Sequence, residues 1–132
     1  TGNTGWVAGP EADTGWRNVT PAAPTGWTSL SSVFIRRVGN NVEIRFGGAA
    51  NTAGPGTLYN APSGFRNIAA AGDATGSVNN GSSGAGLTTG SCYMAAGSGV
   101  LTVNREASTN MFGSITFATT ESWPSSLPGT AA

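Results

Sequence analysis

The stretch that decides the fold is Val33 to Gly48, VFIRRVGNNVEIRFGG. Two runs rich in β-branched and aromatic residues flank Gly39-Asn40, which is the pattern of a β-hairpin. Glycine in the first central position suits a type II′ turn. A two-residue loop sets Val38 opposite Asn41, Arg36 opposite Glu43, Ile35 opposite Ile44 and Val33 opposite Phe46. One face then carries Val33, Ile35, Val42, Ile44 and Phe46, with Arg37 at the loop end. The other carries Phe34, Arg36, Glu43 and Arg45, where Arg36 and Glu43 form a favourable cross-strand pair. A three-residue loop would instead pair Val38 with Val42 and turn Phe34 toward Phe46. The two-residue loop separates charged from apolar residues more cleanly and is preferred.

Around this hairpin the composition argues against helix. The 132 residues include 21 Gly and 7 Pro, no Lys and no Gln, and much Thr, Ser, Asn and Ala. No window of a dozen residues free of Gly and Pro has apolar positions at helical spacing. Short runs between turn residues predict an all-β antiparallel sandwich or barrel, in one domain able to bury roughly two-thirds of its unfolded surface. The formal net charge is zero, so the electrostatic footprint of a nucleic-acid or anionic-membrane partner is missing. The lone Cys92 excludes an internal disulfide framework and reads as a small buried hydrophobe. No apolar run approaches spanning length and no stretch reads as a signal peptide. Starting at Thr1 rather than Met, the chain reads as a piece of a longer or processed polypeptide.

Taken in order, residues 1–32 form an irregular entry segment and residues 33–132 the head. Thr-Gly-Trp recurs at 4–6, 14–16 and 25–27. Each Trp is expected to anchor its segment to the core, or else to stack against neighbouring chains. Residues 15–19 suit a short first strand. After the hairpin come a small-residue loop (47–56), a short strand (57–60), the turn APSGFR (61–66) and a strand of small residues (67–71). Residues 72–90, GDATGSVNNGSSGAGLTTG, read as a long polar loop of the kind that is functional or disordered. Strands follow at 91–95, 100–105 and 111–119, the last with Met111, Ile115 and Phe117 on one face. Trp123-Pro124 ends the pairing and plugs the last strand.

The chain has no histidine, which removes Ser-His-Asp and Cys-His constellations and His-bearing zinc sites. Without lysine there is no Schiff base and no P-loop. Glycosidase chemistry needs two carboxylates flanking a sugar bond. None of Glu11, Asp13, Glu43, Asp73, Glu106 and Glu121 lies in an apolar setting that would tune it, so no catalysis, metal or cofactor is expected. Aromatic faces with short polar side chains suit neutral glycans instead. The rings are Trp6, Trp16, Trp27, Tyr93 and Trp123; the loop polar groups are Arg66, Asp73, Asn79 and Asn80.

FIRRVGNNVEIRFGG (34–48), the turn PSGFRN (62–67) and the ending FGSITFATTESWPSSLPG (112–129) follow the opening DTGWRNVTP…GWT. In that order they resemble the C-terminal head domain of phage tail receptor-binding proteins, such as lactococcal siphophage heads and tail-fibre ends of phages of Gram-positive bacteria. The resemblance covers roughly residues 13–128 and rests on the order of the segments more than on any one motif. It implies a compact jelly-roll-like head, a homotrimer at the virion tail tip continuing an upstream stalk. Such a head binds host cell-wall or capsular saccharide without cleaving it. The lactococcal heads use Trp, Asp and His groups in their sugar pockets; this chain has no His, and no motif carries those residues over. The expected saccharide site is therefore drawn from loop length and chemistry alone: Asp73, Asn79, Asn80 and Tyr93. The rival readings are a structural virion trimer (decoration or tail assembly) and a carbohydrate-binding module of a secreted bacterial protein.

Overall fold

The computed structural model describes residues 12–68, 72–81, 88–106 and 109–132. Among these the chain is all-β without helix, and nine strands form a single antiparallel sheet that curls into a half-barrel. The strands are β1 (Arg17–Asn18), β2 (Trp27–Val38), β3 (Asn41–Ala50), β4 (Gly54–Asn60), β5 (Ala74–Asn80), β6 (Thr88–Met94), β7 (Val100–Arg105), β8 (Thr109–Ala118) and β9 (Thr130–Ala131). Their order across the sheet is β9-β1-β2-β3-β8-β5-β6-β7-β4.

The hairpin strands are third and fourth of the nine and have the expected register: Val33 opposite Phe46, Ile35 opposite Ile44, Arg36 opposite Glu43 and Val38 opposite Asn41. Gly39 takes a φ of +57°, the left-handed region that a two-residue hairpin loop asks of its first central residue. Val33, Ile35, Val42, Ile44 and Phe46 all lie in the core, joined by Leu58, Phe65, Val78, Met94, Leu101, Val103, Met111, Ile115 and Phe117. Cys92 is fully buried among them, and burial pushes its thiol up to about 11, as befits a packing residue rather than a nucleophile. β7 has the expected bounds, and β8 runs from Thr109 rather than 111.

Several expectations are corrected. The hairpin strands are longer than their apolar cores: β2 begins at Trp27 and β3 continues to Ala50, so part of the expected 47–56 loop is strand. The division at residue 32 falls within β2; before β2, among the described residues, Asp13 bridges to Val38 and β1, which lies inside the strand expected at 15–19, pairs with β2. Residues 67–68 are not strand; 69–71 lie outside the described residues. Residues 72–90 are not one loop. β5 and β6 occupy most of them and pair from Ala74–Met94 to Asn80–Thr88. Inward positions here alternate large with small, Val78 against Gly90 and Gly76 against Cys92, so two strands meet with little apolar signal.

Side chains span the gap between β2 and β4. Trp27, 4 % exposed, donates its indole Nε1 to Thr57 O at 3.1 Å, and Arg105 donates to Gly54 O, Pro55 O and Thr25 O. These donors occupy carbonyls near the rim of β4, the strand at one end of the sheet, where free backbone groups invite mispairing.

Candidate functional site

At one end of the half-barrel the turn 39–40, the segment 61–68, the turn 95–99 and the stretch 119–128 converge. The turn APSGFRN shows why sequence makes this end rigid. Phe65 is fully buried in the core. Asn67, 4 % exposed, donates its Nδ2 to Gly72 O, Met94 O and Ala95 O. Arg66, between them, turns outward to Glu121 and grips its Oε2 through both Nε and Nη2. The other carboxylate oxygen, Oε1, accepts the backbone N–H groups of Gly64 (2.8 Å) and Arg66 (2.9 Å). Burial works to raise the Glu121 carboxyl, but the Arg66 side chain and these two N–H groups outweigh it and hold the group below its ordinary value.

Arg37 ties the same segments from beneath. Its Nε donates to Gly39 O, Nη1 to Gly64 O and Ser122 O, and Nη2 to Glu121 O. Its guanidinium carbon lies 4.8 Å from the centroid of the Trp123 ring. A cleft of about 560 Å³ opens over this platform, lined by Pro62, Ser63, Trp123, Pro124, Ser126 and Glu121 among others. Trp123 is half-buried, so it is not the buried plug expected beneath the last strand; its ring lines a cleft. Ser122, Ser125 and Ser126 line the same cleft, and none of their hydroxyls has a protein hydrogen-bond partner among the described residues. An apolar ring with hydroxyls at its margin can pack the face of a sugar and bond its rim. The one charged side chain lining the cleft among the described residues is Glu121, and its carboxylate is ion-paired with Arg66.

The four residues expected at the site do not assemble. Asp73 is exposed at the same end as the cleft, its Oδ1 accepting from Ala96 N at 3.0 Å. Tyr93 stands on the outer face of β6 between Thr75 and Thr102, 36 % exposed. Asn79 shares that outer face, but six strand steps from Asp73 correspond to ~20 Å, too far for one small pocket. Asn80 is corrected: the strand alternation turns it to the inner side, where it is 6 % exposed and its Oδ1 has no hydrogen-bond partner among the described residues. Trp16 packs on the opposite flank, its ring 5.0 Å from the Arg45 and 5.9 Å from the Arg36 guanidinium carbon. Trp6 lies outside the described residues. Sequence reasoning missed the pairing of Arg66 with Glu121. The available signal was an unpaired basic residue in a Gly-Phe-Arg turn and an acidic residue two positions before Trp123.

Among the described residues no group of His, Cys, Asp and Glu could hold a metal ion, and no helix is long and apolar enough to cross a membrane. Comparison with protein-family models, curated proteins and solved structures found no match for the chain.

Proposed function

We propose that the chain is the head domain of a phage tail receptor-binding protein, a homotrimer at the virion tail tip that adheres to a neutral saccharide of the host cell wall or capsule. The tail-tip assignment is supported by the resemblance in the order of the segments from DTGWRNVTP to SWPSSLPG. The adhesive role is carried by one observation: Trp123 lines a cleft with unengaged serine hydroxyls, on loops pinned by Arg37 and Glu121. A rigid platform lowers the ordering cost that weak saccharide contacts must overcome. Adhesion without cleavage fits the state of Glu121, the carboxylate at the cleft, and of Asp13. The Arg36 side chain holds Asp13 low, and Arg66 holds Glu121 low, whereas a general acid needs its pKa raised toward neutrality.

Retention on purified host cell-wall polysaccharide, read beside the thermal midpoint, tests this reading. Trp123→Ala weakens binding on the order of 10- to 30-fold, about 1.4–2 kcal/mol, and Trp123→Phe recovers part of it. Undiminished binding by a folded Trp123→Ala protein would overturn the cleft assignment. A chain that binds no cell-wall or capsular saccharide would move the proposal to the structural virion role.

A further inference from the structure

The outer face of the sheet carries a second, smaller depression, of about 400 Å³, where β2, β3 and β8 run side by side. Its origin is a double irregularity in β2. The register passes from Ala50–Trp27 to Ala49–Ser29, then from Gly48–Leu30 to Gly47–Ser32, so that two residues of β2 twice oppose one of β3. Each is a β-bulge, and a bulge re-aims side chains that regular alternation would send to opposite faces. Ser31 and Ser32, consecutive in sequence, therefore both lie over Gly47. An ideal Cβ on Gly47 would sit 2.8 Å from Ser31 Oγ and 3.5 Å from Ser32 Oγ. Ser29 joins them through the first bulge; Asn110 and Phe112 of β8 supply the far wall, with Phe112 40 % exposed.

Bulges also bend a strand. Bending does not require that the re-aimed side chains be hydroxyls, that they face a glycine floor, or that they be left unengaged. Yet the side chains of Ser29, Ser31, Ser32 and Asn110 have no protein hydrogen-bond partner among the described residues. The lining has no charge. Three hydroxyls, one amide and one phenyl face around a recess of this size match a small, neutral, hydroxyl-rich unit and set no charge against an anion or a cation.

We infer that this depression is a second saccharide subsite, taking a single neutral sugar ring packed on Phe112 and hydrogen-bonded by Ser29, Ser31, Ser32 and Asn110. The ligand class rests on the saccharide-binding reading above, but the site is separate from the Trp123 cleft. Asn79 is the cross-strand neighbour of Phe112 on the same face and does not line the depression.

The test is titration of the whole chain with glucose, galactose, N-acetylglucosamine and rhamnose, followed by two-dimensional NMR at two sets of signals. The amides of Ser32, Gly47, Gly48 and Phe112 report on the depression, and the Trp123 indole reports on the cleft. At least one sugar is expected to shift the first set saturably, with Kd of ~1 mM or weaker. Gly47→Ala places a methyl on the floor of the depression, 2.8 Å from the present position of Ser31 Oγ, and is expected to weaken that response at least tenfold while sparing the indole. Should Gly47→Ala disturb the sheet, the doubly substituted Ser31→Ala, Asn110→Ala chain, altered only at exposed side chains, serves the same purpose. The inference is overturned if no sugar moves the first set, or if its shifts persist undiminished in the folded variants. An indole response alone would keep the cleft and sink the second subsite; shifts at the depression alone would do the reverse.

Discussion

Arg37 is 3 % exposed, and among the described residues no carboxylate neutralises it by direct contact. Burial lowers its pKa from the ordinary arginine value, with the Glu121 charge acting in the opposite sense. A guanidinium tolerates this because its planar fork meets four backbone carbonyls from three segments, which a lysine ammonium with three rotatable donors cannot match. Arg37→Lys is therefore expected to destabilise the chain by about 2–3 kcal/mol, since buried carbonyls are left unpaired. A lower urea midpoint with an unchanged m-value is the reading that checks it. Glu121 gives a pH prediction. Its folded pKa lies below the ordinary 4.5, so the stability it adds is fully present above that value and is lost as pH falls through the depressed one. Asp13 acts in the same sense from its ordinary 3.8. The thermal midpoint should then hold from neutrality down to about pH 4.5 and fall below it. Glu121→Gln should be less stable at neutral pH yet lose less on acidification; an acid profile parallel to the parent chain's would refute the assignment.

Strand β2 shows what an element can and cannot reveal from its letters. Val33 to Val38 alternates strictly, so its register was legible. Trp27 to Ser32 does not alternate, because the two bulges make 28 and 29, and 31 and 32, share a face. Period-two reading therefore fails just where the depression forms. The bulges make contrasting deletions informative. Removing Ser31 leaves Leu30 opposite Gly48 and Ser32 opposite Gly47 as an ordinary ladder, with Trp27 still inward, and should cost less than ~2 kcal/mol. Removing Phe34 slips every residue before it by one and turns Val33 and Trp27 to the outer face, which should abolish folding. Circular dichroism melts of the two deletions decide it. The β5–β6 pair was illegible for a different reason. ATGSVNN fully buries one aliphatic side chain, Val78, and Gly76 packs close against Ser114 O and the Cys92 and Ile115 side chains, a contact that carries no hydropathy signal. The candidate cleft was only half legible: Trp123 and Arg66 stood out as residue types, but nothing local announces that positions 55 apart share a carboxylate.

At the scale of the molecule, charge and shape bear on assembly. The charged side chains Asp13, Arg36, Glu43 and Arg45 gather on the flank of the outer face formed by β2, β3 and the segment before β1. The described outward strand positions of β5, β6 and β8 away from the Phe112 depression, such as Thr75, Ser77, Tyr93, Ser114 and Thr116, carry none. A surface of small uncharged side chains has little desolvation cost, and charged residues are what interface cores lack. Association between copies therefore should not depend on ion pairs across this region. For the proposed homotrimer the expected solution mass is three times the 13.1 kDa of the chain. That mass should be constant over a wide concentration range and barely altered by raising salt from low to molar levels, where exposed charge pairs are screened. Light scattering at several concentrations and two ionic strengths makes the measurement. A trimer that dissociates in salt would place its contacts on the Arg36–Glu43–Arg45 flank instead. A persistent monomer would remove the trimeric head and shift the chain toward a monomeric carbohydrate-binding module, while leaving the Trp123 cleft to stand or fall on its own binding test.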